Sequence, residues 1–309
     1  MDNKILLSLC IPTYGVIEWV FPVLDSIYQQ DVDLNLFEVV VTDNGKNQDF
    51  EEEIKYYIQK YKNLKYIKTN SYLFLNEIDA YKNASGIFVK FINHRTKLIN
   101  GSINYFINFV KENEKEKPII YFSNGALNNR KIKILNNFDE YIKELAIFSS
   151  WSTGMSFWKD HFDQINLECS FNELFPHTNI LFDRKDEKKY IIDDNILLDE
   201  ITLSHKNKGK YDVFYAFSVE FVDLILSLYK DKNISYSTFK HLKTQILYFV
   251  SDLYYDFVLR KKPCSYDVTN FENAINVFYS KKLVKKRVKF IFIKRLKNKI
   301  FRKRKNVKE

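Results

Sequence analysis

The beginning of the chain alternates short apolar or β-branched runs with segments whose apolar residues recur at helical spacing. The runs cover residues 5–11, 37–42, 64–68, 87–92 and 119–123. Parallel strands need crossover connections, which are usually helices, so this alternation is typical of a mostly parallel sheet flanked by helices on both faces. The sequence therefore predicts an α/β fold whose ligands bind at the carboxyl ends of the strands.

Polar and turn-forming residues follow three of the predicted strands. They are Pro12-Thr13-Tyr14, Asp43-Asn44-Gly45 and Asn93-His94-Arg95-Thr96. The carboxyl ends of parallel strands lie along one edge of the sheet, so these three loops are the predicted site. The alternative is a purely structural role, in which Pro12 ends a strand and Asp43-Asn44-Gly45 only forms a turn.

The pattern changes further along the chain. A strand is expected at 152–157, a helix at 175–182 and a strand at 190–192, and beyond Tyr211 the apolar spacing is helical. We predict an α/β domain over 1–210, with halves at 1–125 and 126–210, then a helical region over 211–280 and a basic tail over 281–309.

Composition excludes several classes of protein. Of 309 residues, 46% are hydrophobic, with only 7 Gly and 5 Pro, which excludes a disordered or collagen-like chain. The cysteines Cys10, Cys169 and Cys264 are widely spaced and form no CxxC pair, which disfavours a disulfide framework or a structural zinc site. With no secretory pattern and no long apolar stretch, we expect a cytoplasmic protein.

Positive charge is concentrated in the tail. Residues 281–309 contain 15 Lys or Arg and one acidic residue, a local charge of +14 in a chain of total charge +9, so the remainder is mildly acidic. Apolar residues recur every four positions at Val284, Val288, Phe292, Leu296 and Ile300. A helix with such a stripe between basic flanks is predicted to lie on an anionic membrane surface. A solvated disordered tail and an RNA-binding arm are the alternatives.

The first two loops carry a resemblance to a known family. Leu9-Cys10-Ile11-Pro12-Thr13-Tyr14, followed by Glu38-Val39-Val40-Val41-Thr42-Asp43-Asn44-Gly45, resembles the opening of family 2 glycosyltransferases. That resemblance implies the GT-A fold, a Rossmann-like sheet that binds a nucleotide-diphospho-sugar. It also implies nucleotide contacts from Pro12, Thr13, Tyr14, Asp43 and Asn44, with an aromatic wall and hydrogen-bond acceptors as their contribution.

The third loop departs from the family. Gly86-Ile87-Phe88-Val89-Lys90-Phe91-Ile92 and Leu98-Ile99-Asn100-Gly101 resemble its flanking sequences, but the acidic Asp-x-Asp motif between them is replaced by Asn93, His94 and Arg95. A divalent cation prefers carboxylate ligands, so Mg²⁺ or Mn²⁺ is poorly supplied here. We expect Arg95, together with His94, to stabilise the leaving diphosphate as a cation. The alternative is a decayed site that binds no donor.

The predicted acceptor side lies between residues 151 and 181. The resemblance places a general base near the start of the helix at 175–182, where His177 stands, with Glu173 as the substitute. A capping or packing histidine is the alternative for His177. Trp151 is predicted to form an apolar wall for a sugar, or else to belong to the core. The loop around His205 is expected either to close over the diphosphate or to be simply solvated.

Together these features predict an inverting, metal-independent glycosyltransferase. It would move a sugar from a UDP-linked donor to a hydroxyl of a bacterial surface glycan or lipid-linked acceptor, such as capsule or lipopolysaccharide, as a peripheral protein of the cytoplasmic membrane face. Mg²⁺ or Mn²⁺ stays an alternative cofactor. The competing hypothesis is a non-catalytic GT-A-like binding protein with a basic arm for membrane or nucleic acid.

Overall fold

The structure, a computed structural model, describes residues 4–166, 170–201 and 209–305, with side chains up to residue 296. The chain forms two compact units, Met1–Thr202 and Leu203–Glu309. The finer boundaries predicted at residues 125, 210 and 280 stay predictions.

The first unit contains both strands and helices. Its strands are β1 (Leu7–Thr13), β2 (Phe37–Asp43), β3 (Leu64–Lys68), β4 (Phe88–Phe91), β5 (Thr96–Leu98), β6 (Ile119–Phe122), β7 (Ile132–Leu135), β8 (Ser156–Trp158), β9 (Tyr190–Asp193) and β10 (Leu198–Glu200). Its helices are α1 (Ile17–Tyr28), α2 (Gln48–Lys60), α3 (Asn76–Lys82), α4 (Ser102–Asn113), α5 (Phe138–Leu145), α6 (Lys159–Asp163) and α7 (Pro176–Asp183). Short 3₁₀ turns lie at Leu73–Leu75, Ala146–Ser150 and Ser152–Gly154.

The central sheet has the strand order β3-β2-β1-β4-β8. Strands β1 to β4 run parallel and β8 is antiparallel to β4, which confirms the predicted mostly parallel α/β architecture. Apolar side chains of β1 and β2 have no exposed surface and pack with those of α1, α2 and α4 into one core. This burial on both faces explains why the strands read as nearly continuous apolar runs.

Two expectations for the strands were wrong. Strand β6 does not join the central sheet, because it pairs with β9 in a separate sheet of order β6-β9-β7. The strand expected at 152–157 is instead a 3₁₀ turn followed by the shorter β8. At this turn Gly154 passes directly over the Tyr121 ring, where an added Cβ would lie 2.0 Å from Cζ. The chain can follow this path only with glycine at that position.

The second unit is helical. Its helices are α8 (Val213–Tyr215), α9 (Phe221–Lys230), α10 (Tyr236–Leu253), α11 (Phe271–Phe278) and α12 (Lys281–Lys305), with π-helical turns at Ala216–Glu220 and Tyr254–Leu259. This agrees with the predicted C-terminal helical region. Among the residues described here, no helix is long and apolar enough to span a bilayer.

The tail is helical, but its predicted apolar stripe is wrong. Val284, Val288 and Ile291 of α12 are buried, whereas Phe292 and Leu296 are exposed. On the inner side, Arg295 Nη1 lies 2.5 Å from Asp256 Oδ1. Helix α12 is therefore attached to the second unit by one face and presents different residues on the other.

Candidate functional site

The predicted loops after β1 and β2 lie side by side, because the parallel register sets Thr13 opposite Asp43. Asp43 is fully buried. Its Oδ1 accepts a hydrogen bond from Gly45 N at 2.7 Å, and its Oδ2 accepts bonds from Tyr66 and Lys68, each at 3.0 Å. Burial lowers the pKa of Lys68, but its bonds to Glu51 and Asp43 outweigh this and raise it, so the ammonium stays charged.

Three hydrogen-bond donors occupy three acceptor positions of the Asp43 carboxylate. A carboxylate has about four acceptor positions. The carboxylate is thus fixed in place by β3 and by its own turn. Because Asp43 has no exposed surface, a ligand could reach its remaining acceptor position only after a local rearrangement, and the predicted nucleotide contact stays a prediction.

Asn76, at the start of α3, connects the strand ends and was missed by the sequence analysis. Its Nδ2 donates to Thr13 O at 3.0 Å and to Thr42 O at 2.9 Å, and its Oδ1 accepts from Thr69 Oγ1 at 2.8 Å. The ends of β1 and β2 and the residue that follows β3 are therefore held by one buried amide. A lone asparagine at a helix start gives no sequence signal for such a role.

Like Asn76, Asn44 holds neighbouring backbone by hydrogen bonds from its side-chain amide. Its Nδ2 donates to Ser71 O at 2.9 Å and to Leu73 O at 3.2 Å, which holds the connection between β3 and α3. The side-chain amide nitrogen of Asn44 is thus already engaged within the protein, although the residue is predicted to contact nucleotide. The geometry favours a positioning part for Asn44 at the edge of the site.

The third loop packs against aromatic residues. His94 lies 5.3 Å from the Tyr14 ring and 5.0 Å from the Trp19 ring, measured between centroids, and His94 Nδ1 is 2.8 Å from Thr13 Oγ1. Burial and the neighbouring Arg95 charge lower the pKa of His94 to about 3. The lowered pKa disfavours the imidazolium, so the geometry favours Arg95 as the cation of this loop, and the part expected of His94 at the diphosphate stays a prediction.

Arg95 is placed differently. Its guanidinium lies 5.8 Å from the centroid of the Trp19 ring. Within the described ranges, no carboxylate forms an ion pair with it. A half-buried arginine beside an aromatic face and without an acidic partner is suited to binding an anion.

The loop does not fit a divalent cation. Asn93 Oδ1 already accepts a hydrogen bond from Arg95 N at 3.2 Å, and the neutral His94 is turned toward Thr13. Across the described part of the chain, no three His, Cys, Asp or Glu side chains form a group that could hold a metal ion. Hard cations need several oxygen ligands, and the guanidinium of Arg95 would repel them.

His177 is buried, with both ring nitrogens engaged. Its Nε2 lies 2.9 Å from Ser150 O, and its Nδ1 lies 3.2 Å from Glu77 Oε2. Because a carbonyl only accepts, Nε2 is the donor in the bond to Ser150 O. His177 and Glu77 thus form a hydrogen-bonded pair inside the protein. This geometry favours a positioning role over the predicted role of a general base.

The other predicted residues of the acceptor side are more accessible. Glu173 is exposed, and its carbonyl accepts a hydrogen bond from Phe74 N in the connection between β3 and α3. Trp151 is 41% exposed. His205 lies outside the described residues. Ile201, which is described, donates its N–H to Arg95 O of the third loop at 2.9 Å.

Lys90, on β4, is a fully buried lysine that the sequence analysis did not single out. Its Nζ donates to Thr153 O at 2.6 Å and to Met155 O at 3.2 Å, and it lies 5.6 Å from the centroid of the Phe122 ring. Burial lowers the pKa of Lys90 to about 7. An apolar strand gives no sign that one of its residues will bind backbone carbonyls from its amino group.

The pKa of Lys90 predicts how stability depends on pH. The pKa of lysine in an unfolded chain is about 10.4. Between pH 7 and 10 the unfolded chain therefore binds the proton that folded Lys90 has lost, so Lys90 makes the free energy of unfolding rise with pH. We expect Lys90→Met to reduce this rise in urea titrations at pH 7 and 9, whereas the exposed control Lys97→Met should keep it. If the free energy of unfolding rises equally with pH in the wild type and in both variants, a buried Lys90 that titrates near neutral pH is contradicted.

The fold and the strand-end site define a class of protein. A mostly parallel sheet with a second small sheet, an aspartate after β2 and a loop after β4 on the same edge is the GT-A fold of nucleotide-sugar-dependent glycosyltransferases. The model of the family described as "Glycosyl transferase family 2" matches residues 8–190, which is more than half of the chain. The chain belongs to this family, which supports glycosyltransferase activity.

Solved structures share the fold at low sequence identity. The TarS 1-349 chain of S. aureus in complex with UDP-GlcNAc is 16% identical, with a TM-score of 0.59 over 89% of this chain and 80% of that one. A longer S. aureus TarS chain gives 18% identity and a TM-score of 0.57, and this chain covers 50% of its length. The mannosyltransferase PcManGT of Pyrobaculum calidifontis, in complex with GDP-Man and Mn²⁺, is 13% identical with a TM-score of 0.52, over 80% of this chain and 71% of that one. No curated protein matches the chain.

Proposed function

We propose that the protein transfers a sugar from a nucleotide-diphospho-sugar to a hydroxyl group with inversion, and that Arg95 supplies the charge that stabilises the leaving diphosphate. The carrying observation is the guanidinium of Arg95, which has no acidic partner among the described residues, lies beside the Trp19 ring and is close enough to Tyr14 for its charge to oppose the rise that burial causes in the pKa of the Tyr14 hydroxyl. A UDP-linked donor is supported by the UDP-GlcNAc complex of TarS, which shares the fold.

The reaction is a single displacement at the anomeric carbon. The acceptor oxygen forms a bond to C1 while the bond from C1 to the diphosphate oxygen breaks, and the acceptor proton passes to a base. Negative charge grows on the diphosphate as it leaves, and a fixed cation stabilises that charge most in the transition state. Inversion is what one in-line attack produces, and it is the outcome implied by the family resemblance.

Arg95→Ala is expected to lower kcat by about 10²–10³ with little change in melting temperature, because one electrostatic partner of the leaving group is lost. Turnover of UDP-GlcNAc or GDP-mannose, followed as nucleoside diphosphate release, should survive EDTA. The exposed neighbour Lys97→Ala is the matched control and should retain the wild-type rate. Strict dependence on Mn²⁺, abolished by EDTA, would contradict the role of Arg95.

The same assay distinguishes a glycosyltransferase from the competing hypothesis of a non-catalytic binding protein. A non-catalytic GT-A-like binding protein would bind UDP without releasing it from any nucleotide-sugar. The engagement of both His177 nitrogens is the observation that favours this second candidate, because it withdraws one predicted base. UDP binding in calorimetry with no turnover across a donor panel would establish it.

For the base we propose Glu173, because its carboxylate is exposed while His177 is buried. Glu173→Gln should lower kcat by about 10²–10⁴ and leave UDP affinity unchanged, since proton transfer is lost but the nucleotide contacts are not. Glu112→Gln, an exposed glutamate on α4, is the control. If His177→Gln abolishes turnover at unchanged melting temperature while Glu173→Gln does not, the base is His177.

We propose that the outer face of α12 attaches the protein to the cytoplasmic face of a bacterial membrane, where lipid-linked or growing surface glycans such as capsule or lipopolysaccharide are the acceptors. Phe290 and Ile293 are 58% and 48% exposed, and basic residues surround them. Exposed aromatic and aliphatic side chains among lysines suit an anionic bilayer, with about 1 kcal/mol for each basic residue near the surface.

Replacing Phe290 and Ile293 by serine should reduce sedimentation with phosphatidylglycerol vesicles, because the apolar contact is lost while the charge is kept. Binding by the wild-type chain should weaken as salt rises, since exposed charges are screened over about 10 Å at 0.1 M. Val277→Ser, an exposed position on α11, is the control. A chain that ignores these vesicles but retains RNA with a steep salt dependence would contradict the membrane assignment and support an RNA-binding arm.

A further inference from the structure

Residues 148–155, which we call the 148–155 segment, connect α5 to β8 without forming a strand or an α-helix. Irregular backbone of this kind leaves carbonyl groups that neither a helix nor a sheet satisfies. Here the carbonyls are bonded by side chains of four buried residues that come from three different elements. The donors are Tyr121 of β6, Thr178 and His177 of α7, and Lys90 of β4.

The bonds follow the segment almost residue by residue. The Tyr121 hydroxyl lies 2.5 Å from Phe148 O and 2.7 Å from Trp151 O, and it has one proton to share between them. Ser149 O accepts from Thr178 Oγ1 at 3.1 Å, and Ser150 O accepts from His177 Nε2 at 2.9 Å. Thr153 O and Met155 O accept from Lys90 Nζ at 2.6 and 3.2 Å. This set of bonds fixes the backbone on either side of Trp151.

The segment lies toward the site. Strand β8 runs antiparallel to β4, with Ser156 opposite Lys90, and Phe91 N donates to Met155 O at 3.1 Å. Moving backward along the segment from Met155 therefore means moving forward along β4, toward Asn93. The backbone of the 148–155 segment thus approaches the edge of the sheet at which the third loop begins.

One side chain of this rigid segment is both large and exposed. Trp151 is 41% exposed, and the Phe148 ring meets it edge to face at 4.7 Å between centroids. A buried network that fixes the backbone of an exposed tryptophan reduces the entropy that a ligand must otherwise overcome to bind it. The flat indole face matches the apolar C–H face of a pyranose ring, which is a common partner for aromatic side chains.

We propose that the 148–155 segment is a pre-organised saccharide platform, with Trp151 as its stacking surface and Tyr121, Lys90, His177 and Thr178 as the residues that position it. This deepens the proposed function and rests on it. The ligand chemistry is a pyranose ring, which belongs either to the donor sugar or to the acceptor glycan. Trp151 touches that ring, whereas the four buried residues act only through the backbone.

Tryptophan fluorescence tests contact with the sugar directly. The chain has 3 tryptophans, and Trp19 and Trp158 are 5% and 0% exposed, so acrylamide quenching of the full-length protein reports mainly Trp151. We expect UDP alone to leave quenching unchanged. Protection by UDP-GlcNAc or GDP-mannose assigns the platform to the donor sugar, and protection by methyl hexopyranosides assigns it to the acceptor. If no sugar in either arm protects Trp151, the proposal is overturned.

Kinetics test the positioning residues. Trp151→Ala should raise KM for the saccharide by about tenfold, and Trp151→Phe should recover most of this, because an aromatic face is restored. Tyr121→Phe removes only the hydroxyl that holds the segment, and it should raise the same KM by about threefold to tenfold with kcat and UDP affinity nearly unchanged.

Tyr141→Phe is the matched control. Tyr141 is as buried as Tyr121, but its hydroxyl has no hydrogen-bond partner among the described residues. A purely structural role for Tyr121 would lower the melting temperature without changing KM for the saccharide, and that result would overturn the positioning role. UDP binding and turnover that persist in Trp151→Ala with unchanged KM would reject the platform and leave the proposed function intact, whereas failure to bind UDP at all would reject the proposed function instead.

Discussion

The site depends on one constraint, the parallel pairing of β1 with a strand on each side. Hydrogen bonds to β2 and β4 in the same direction force three carboxyl ends to one edge, and the register sets Thr13 opposite Asp43. Pairing between β1 and β4 ends at Cys10 and Phe91, so the chain leaves β4 earlier and its loop turns back against Trp19. The amide of Asn76 then fixes the strand ends relative to one another. The edge of the sheet at which we propose that the nucleotide binds follows from these bonds.

The 148–155 segment, on the predicted acceptor side, is held by side chains in place of strand pairing. Lys90 extends from the central sheet to the 148–155 segment, and His177 reaches the same segment from α7 with Glu77 behind it. These buried polar groups are costly unless they are bonded. Here Lys90 and His177 are bonded to backbone carbonyls, and Glu77 is bonded to His177. Side-chain hydrogen bonds thus take the place of strand pairing in holding this irregular loop, which is the proposed saccharide platform.

The sequence was sufficient to predict strands β1 to β4, β6 and β9 and the loops that follow β1, β2 and β4, because apolar runs and turn residues are local signals. It was not sufficient for contacts between distant residues. His177 reads as an accessible base until Glu77, one hundred positions away, is found against it. His94 reads as a cation until its packing against Trp19 and Arg95 is known. In α12, a residue every four positions drifts around a helix of 3.6 residues per turn, so Val284 faces inward while Leu296 faces outward.

A crystal structure of the full chain with UDP, determined once with Mn²⁺ and once with EDTA, is the most direct measurement of whether Arg95 replaces a metal ion at this site. We expect the nucleoside between Tyr14 and Asp43 and the diphosphate within hydrogen-bond distance of the Arg95 guanidinium, in the same position in both crystals. A diphosphate bound through Mn²⁺ and absent from the EDTA crystal, or a nucleotide bound away from the carboxyl ends of β1 and β2, would contradict it.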